Sequence, residues 1–199
     1  MTAEANVESH GMGYGEESLA RNPAYAKAHL ERNRRNVAFN RNHPSVIVWS
    51  LGNEAGYSPN FEAAYDMVKA MDPSRPVQYE QAGTSGKSDI FCPMYMDYDD
   101  CSRYASGKDR KPLIQCEYAH AMGNSMGGFR EYWDTIRKYP GYQGGYIWDF
   151  VDQSLRWKGK TGKQIWAYAG DFNDYDSKYD YNFCDNGIIA PDRRLNPHA

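Results

Sequence analysis

Three stretches with the character of buried strands run straight into an acid. Residues 46–51 (VIVWSL) lead to Gly52-Asn53-Glu54, residues 113–116 lead to Glu117, and residues 144–148 lead to Asp149. A further segment, ANVESHGMG (5–13), adds Glu8 and His10. A lone carboxylate at a strand–loop junction is ordinarily a helix cap or a solvated surface group. Two glutamates on separate strands, with Asn, Tyr, His and Trp nearby, point instead to chemistry. The reaction that needs two opposed carboxylates and little else is hydrolysis of a glycosidic bond. One acid protonates the leaving oxygen, and the other attacks the sugar or activates water.

The elements that must position these acids alternate in type. Residues 22–41 read as a helix, with Asn22 able to cap it and Pro23 at the tolerated first position. Residues 45–51 are a continuous β-branched apolar run, the pattern of a strand buried on both faces. The helix that follows can start at Ser58-Pro59 and carries a stripe of Phe61, Ala64, Tyr65, Val68 and Met71. Short strands are expected at 76–80, 89–95 and 112–117, a second amphipathic helix at 127–139 on Phe129, Trp133 and Ile136, and a buried strand at 144–150. After residue 152 the pattern dissolves into loops. Strands alternating with helices predict a parallel α/β fold, and acids at the carboxyl ends of such strands are where a β/α barrel places its catalytic groups. One link, residues 81–88, is short for a parallel crossover. Either it is compressed or one of its flanking strands is not a strand.

Composition narrows the function classes. The 199 residues hold 23 Lys plus Arg against 26 Asp plus Glu, with no basic stripe to suit nucleic acid. The apolar runs are too short for a membrane span, and the first twenty residues carry no signal-peptide pattern. Cys92, Cys101, Cys116 and Cys184 have neither zinc-type nor redox spacing and read as free thiols.

NHPSVIVWSLGNEAG (42–56), DPSRPVQYE (72–80), CPMY (92–95), CEYAHAMGNSMGGFREYW (116–133), QGGYIWDFVDQSL (143–155) and FCDNG (183–187) resemble, in order, the large bacterial β-galactosidases of glycoside hydrolase family 2. The resemblance implies a TIM-type (β/α)8 barrel. Residues 1–199 would be one partial catalytic domain, holding the third to eighth strands without the family's flanking β-sandwich domains. It implies a retaining double displacement on β-galactosides, with Glu54 as acid/base and Glu117 as nucleophile. Asn53 and His120 match sugar contacts, Tyr95 a hydrogen-bond partner of the nucleophile, and Trp148 the aromatic floor of the galactose site. Glu8, His10 and Glu54 match ligands of a magnesium ion, and Asn186 with the Phe183 carbonyl matches part of a sodium site that also contacts the sugar. The family's sugar site further uses an acid and two histidines upstream of these segments. The chain alone is therefore expected to be inactive, and its open sheet edges are expected to self-associate or leave the sheet distorted. The resemblance leaves the compartment open between bacterial cytoplasm and periplasm. Competing readings are a β-glucuronidase or β-mannosidase of the same family, a non-catalytic sugar-binding module, and a metal-dependent hydrolase centred on Glu8, His10 and Glu54. With both glutamates in one pocket, the acid/base is expected to hold its proton to higher pH than the nucleophile.

Overall fold

A computed structural model describes residues 1–16, 18–108, 110–121, 126–172 and 186–196. The chain opens on a three-residue strand, Thr2–Glu4 (β1), which lies parallel to Val48–Ser50 (β2). All three residues of β2 are buried, as the apolar run demands, and Trp49 and Leu51 are fully enclosed, although Ile47 is exposed. Val77–Gln78 (β3) continues the sheet on the other side of β2, again parallel. β1 carries no strand pattern of its own. Its ladder to β2 defines it, and Ala5 extends that pairing by donating to the Ser50 carbonyl.

Two helices cover this sheet. Asn22 accepts a hydrogen bond from the Ala24 N–H, a 3-10 turn follows at Pro23–Tyr25, and the helix Ala26–Asn40 (α1) runs on from it. α1 is polar, and it buries His29, Asn33 and Val37. The Asn33 amide donates to the Leu51 carbonyl at 3.1 Å, tying α1 to the end of β2. Pro59–Met71 (α2) buries Phe61, Ala64 and Val68, with Tyr65 and Met71 packed at the margin, so the expected stripe is the buried face. Ser58 sits at the cap position, but its hydroxyl donates to the Ala20 carbonyl instead of capping α2.

The short link at 81–88 is compressed. One 3-10 turn, Glu80–Ala82, suffices to bring Asp89 N–H onto the Val77 carbonyl at 2.7 Å. Residues 89–95 then pass between β3 and the strand Leu113–Tyr118 (β4), pairing by single bridges at Phe91 and Met94. Tyr142–Ile147 (β5) lies parallel to β4. The parallel order is thus β1, β2, β3, residues 89–94, β4, β5. At its two ends Thr2 Oγ1 and the Tyr146 hydroxyl share a 2.7 Å hydrogen bond, so β1 and β5 meet through side chains.

Four expectations need correction. The strand expected at 144–150 starts at Tyr142, ends at Ile147 and is not buried throughout: Tyr146 and Phe150 are exposed. Among the described residues no strand pairs with its outer edge, and Gly144-Gly145 supply no side chains to enclose it. The helix Phe129–Lys138 buries no residue, with Phe129 and Trp133 each 37% exposed. A helix at Tyr98–Ala105, capped by Asp97, was not expected; it buries only Cys101, with Tyr104 and Ala105 partly covered beside it. We label these helices α3 (Tyr98–Ala105) and α4 (Phe129–Lys138). Residues beyond 152 include an antiparallel hairpin, Leu155–Lys158 (β6) with Gln164–Ala167 (β7), rather than loops alone. Cys92, Cys101 and Cys116 are free thiols. Phe183, Cys184 and the small-residue run at 122–125 lie outside the described residues. Among the described residues no helix is long and apolar enough to cross a membrane.

Candidate active site

The turn after β2 carries the first glutamate. Gly52 has φ +148°, and a Cβ there would stand 2.5 Å from the Val7 carbonyl oxygen, so the close approach of the two segments requires glycine. Three consecutive amides then leave for neighbouring segments. Asn53 N–H donates to the Val7 carbonyl at 2.8 Å, Glu54 N–H to Glu80 Oε1 at 2.8 Å, and Ala55 N–H to the Tyr79 hydroxyl at 3.3 Å. Glu54 adopts φ +39°, a left-handed conformation that disfavours a side chain by about 1–2 kcal/mol. Backbone strain of this kind persists only where surrounding bonds over-determine it.

The second glutamate leaves the end of β4. The Tyr95 hydroxyl donates to Glu117 Oε2 at 2.5 Å, and the Tyr95 N–H donates to the Glu117 carbonyl at 2.9 Å. Tyr95 too is left-handed, at φ +52°. The His120 ring lies 5.6 Å from the Tyr95 ring, centre to centre. Trp148 N–H is held by the Tyr118 carbonyl, which brings the indole beside the same strand end.

These segments converge. One cavity of about 310 Å³ is lined by Glu8, His10, Asn53, Glu54, Met94, Tyr95, Glu117, His120 and Trp148. A second, of about 350 Å³, shares Glu8, Asn53, Glu117 and Trp148 and adds Asp149, Glu4 and Tyr146. Eight of the nine residues expected at the site and present among the described ones are therefore brought together. Asn186 is not: it is buried, but it does not line these cavities, and its neighbour Gly187 is clamped against Asp152 instead. Phe183 lies outside the described residues.

The charges here are crowded. Burial pushes the Glu117 carboxyl up to about 7, with the Glu54, Glu4 and Glu8 charges adding to the rise and the Tyr95 bond opposing it. Burial also raises Glu54, while His10 and a hydrogen bond from the Tyr14 phenol pull it back. Both carboxyls are thus raised, as two acids in one pocket should be. Burial lowers His120, against the pull of Asp149. Burial raises Asp149, and its Oδ1 is enclosed without a hydrogen-bond partner among the described residues. His10 Nε2 stands 3.6 Å from Glu54 Oε2. Among the described residues no three acid, imidazole or thiol groups form a ready-made metal cage, so Glu8, His10 and Glu54 share a wall rather than a closed site.

Sequence reasoning missed Tyr14 and Glu80, both in contact with Glu54. Glu80 had a signal: it ends PVQYE, a strand-end acid like the three singled out. Tyr14, in a glycine-rich loop, had none.

The family model described as glycosyl hydrolases family 2, TIM barrel domain, matches residues 1–199. A β-galactosidase of Aeromonas hydrophila is 49% identical over 98% of this chain and 20% of its own length. One from Alteromonas mediterranea is 46% identical, and one from Yersinia enterocolitica 47%, over similar shares. The chain spans about a fifth of the length of these curated relatives. Among solved structures, a Faecalibacterium prausnitzii β-glucuronidase superposes with TM-score 0.60 at 18% identity, covering 86% of this chain and 33% of that one. A family 2 β-galacturonidase of Eisenbergiella tayi gives 0.61 at 16%, covering 96% and 38%. Those two likenesses speak for the fold, a TIM barrel. With its whole length matched and close relatives sharing nearly half its residues, this chain belongs to the TIM barrel domain of the family 2 glycosyl hydrolases.

Proposed function

We propose that this chain supplies the catalytic centre of a retaining β-galactosidase, working within a longer protein of the relatives' length. The observation that carries the reading is the pair of strand-end glutamates, Glu54 and Glu117, facing one cavity. Glu54 gives its proton to the glycosidic oxygen as Glu117 attacks the anomeric carbon, forming a covalent galactosyl-enzyme; Glu54, now ionised, takes a proton from the water that releases the sugar. Tyr95 occupies Glu117 Oε2, which leaves Oε1 to attack. The carboxyl groups are expected about 5–5.5 Å apart in the working enzyme, against roughly 6.5–9.5 Å for an inverting one. Trp148 offers a flat apolar face to the sugar, and Asn53 and His120 offer hydrogen-bonding groups to its hydroxyls.

Glu8, His10 and Glu54 would hold magnesium. The Glu8 charge helps to raise the neighbouring Glu54 carboxyl, and an acid pair of this kind suits a hard cation, which keeps several waters and so needs few protein ligands. When bound, the ion would supply positive charge beside the acid/base. Asn186, with the Phe183 carbonyl, is proposed for sodium. The six parallel segments would be the third to eighth barrel strands. Closing the barrel needs two more, and without them the outer edges of β1 and β5 are open to self-association.

A neutral sugar is favoured over a uronic acid by the walls themselves. No Arg or Lys is among the described residues that line the two cavities, while Glu4, Glu8, Glu54, Glu117 and Asp149 are. A uronate carboxylate would meet the like charge of these acids. The test uses the full-length protein and a 2-deoxy-2-fluoro-galactoside with a dinitrophenyl leaving group. Mass spectrometry should find one sugar bound to the peptide holding Glu117. A label on another residue, or faster turnover of nitrophenyl glucuronide or mannoside than of galactoside, would sink the proposal.

A further inference from the structure

Glu80 is an enclosed acid beside this site for which the proposed mechanism has no use. It follows β3 directly, and it does not line the cavity that Glu54 and Glu117 share. Its Oε1 instead accepts the Glu54 main-chain N–H at 2.8 Å. The amides on either side of that one are held by fixed parts of the fold, the Val7 carbonyl and the Tyr79 hydroxyl. Tyr79 is itself buried, stacked on Phe61, and donates to the Gly56 carbonyl at 3.0 Å. Only the middle amide, that of Glu54, is held by a charged side chain. It is also the residue of the turn that carries a side chain in the left-handed region, at φ +39°. Rotation of this one peptide would swing the Glu54 carboxyl away from the cavity.

We propose that Glu80 is a positioning residue, whose carboxylate oxygen clamps the Glu54 main chain in its left-handed turn and so sets the direction in which the Glu54 carboxyl enters the cavity. The proposal rests on the reading of Glu54 as the acid/base. What it requires of residue 80 is an acceptor at the Oε1 position, not a charge in the cavity.

That requirement separates three substitutions in the full-length protein. Glu80→Ala removes the acceptor, Glu80→Asp draws it back by one methylene, and Glu80→Gln keeps it. The readout is kcat/KM on two galactosides: phenyl, whose departure needs a proton, and 2,4-dinitrophenyl, whose departure does not. Glu80→Ala should lose about 10–100-fold on the phenyl substrate and less than about threefold on the dinitrophenyl one. Glu80→Asp should lose in the same selective way, and Glu80→Gln should restore both to within about threefold of the parent. If Glu80→Ala does not fold, the Asp and Gln variants, which remove at most one methylene, still decide the matter. Equal losses on both substrates, parent-like activity in Glu80→Asp, or a loss in Glu80→Gln that matches Glu80→Asp each overturn the clamp. Glu54→Gln is assayed beside them. If it shows no leaving-group-selective loss, the acid/base reading fails first, whatever Glu80 does.

Discussion

The two ends of the parallel order are built differently. The β1–β2–β3 end has a continuous core in which Val7, Trp49, Leu51, Phe61, Val68 and Val77 are buried beneath α1 and α2. The β4–β5 end has a much smaller one, Phe91, Cys101, Leu113 and Tyr142, and leaves Trp133, Tyr146, Phe150 and Trp157 in contact with solvent. Glu54 belongs to the first end, on a turn held by three bonds to two neighbouring segments. Glu117 belongs to the second, and its strand joins the first through the single bridges of residues 89–94 and a small cluster in which Ile114 and Cys116 pack with Val48, Ile90 and Cys92. One half of the proposed pair is therefore framed by a finished core, and the other by elements whose apolar faces are partly bare. The separation of the two carboxyl groups depends on the seam between them.

The largest expected effect tests whether the seam holds without further chain. Purified residues 1–199, with magnesium, should hydrolyse nitrophenyl β-galactoside at under about 1% of the full-length rate. Displacement of one carboxyl by about 1 Å is enough for a loss of that size. Parent-like turnover from a monomer would mean that the β4–β5 end needs no support. In the full-length protein, Glu117→Gln should remove at least about a thousandfold of kcat, because no nucleophile remains. An unchanged rate would break the assignment outright.

A smaller effect compares the two cores directly. Trp49 Nε1 and Arg75 both donate to the buried Asp72 carboxylate, at 3.0 and 2.7 Å. Burial alone would raise that carboxyl, but hydrogen bonds from Ser74, Arg75 and Trp49 outweigh it and hold it well below the usual range. Asp72→Ala strands an enclosed indole N–H and should destabilise by about 2–3 kcal/mol. Trp133→Ala on α4, already 37% exposed, should cost about 1–2 kcal/mol in residues 1–199. Urea unfolding measures both. Equal losses would erase the difference between the ends.

The same contrast decided what could be read from the sequence. α2 and β2 were legible because their buried residues write a pattern: Val46, Val48 and Trp49 at β2, and Phe61, Ala64 and Val68 at α2. α3 was not, because Asp97 caps a helix that encloses only Cys101. The β6–β7 hairpin is mostly exposed, and its mixed residues carried no core periodicity. β1 exists through its partner, which no local pattern can announce. At the site, glutamates were found by their place after strands. Their supports were not, since Tyr14 reaches Glu54 from a loop and Glu80 was taken only as the end of a strand.

The smallest effect tests the seam by its charge. Glu117 has its folded-state pKa raised, from the ordinary 4.5 to about 7, with burial as the leading cause. Between those values the folded protein binds the Glu117 proton more tightly than the unfolded chain does. Stability must then fall as pH rises from about 4.5 to about 7, and stay lowered above it. Glu117→Gln removes the ionisation and keeps the shape. It should be more stable than the parent at pH 8 by on the order of 1 kcal/mol, a figure discounted from the full shift because the carboxyl is partly exposed, and about equal to it at pH 4.5. Asp72, in the other core, has a depressed pKa, so its contribution is complete above about pH 4 and lost only as pH falls further. The two windows do not overlap. Urea unfolding of parent, Glu117→Gln and Asp72→Asn across pH 3–8 therefore reads the ends separately: the Glu117 difference should open above pH 4.5, and the Asp72 difference should close below pH 4. A Glu117→Gln curve parallel to the parent throughout would mean that Glu117 is open to water, and that the seam does not enclose it.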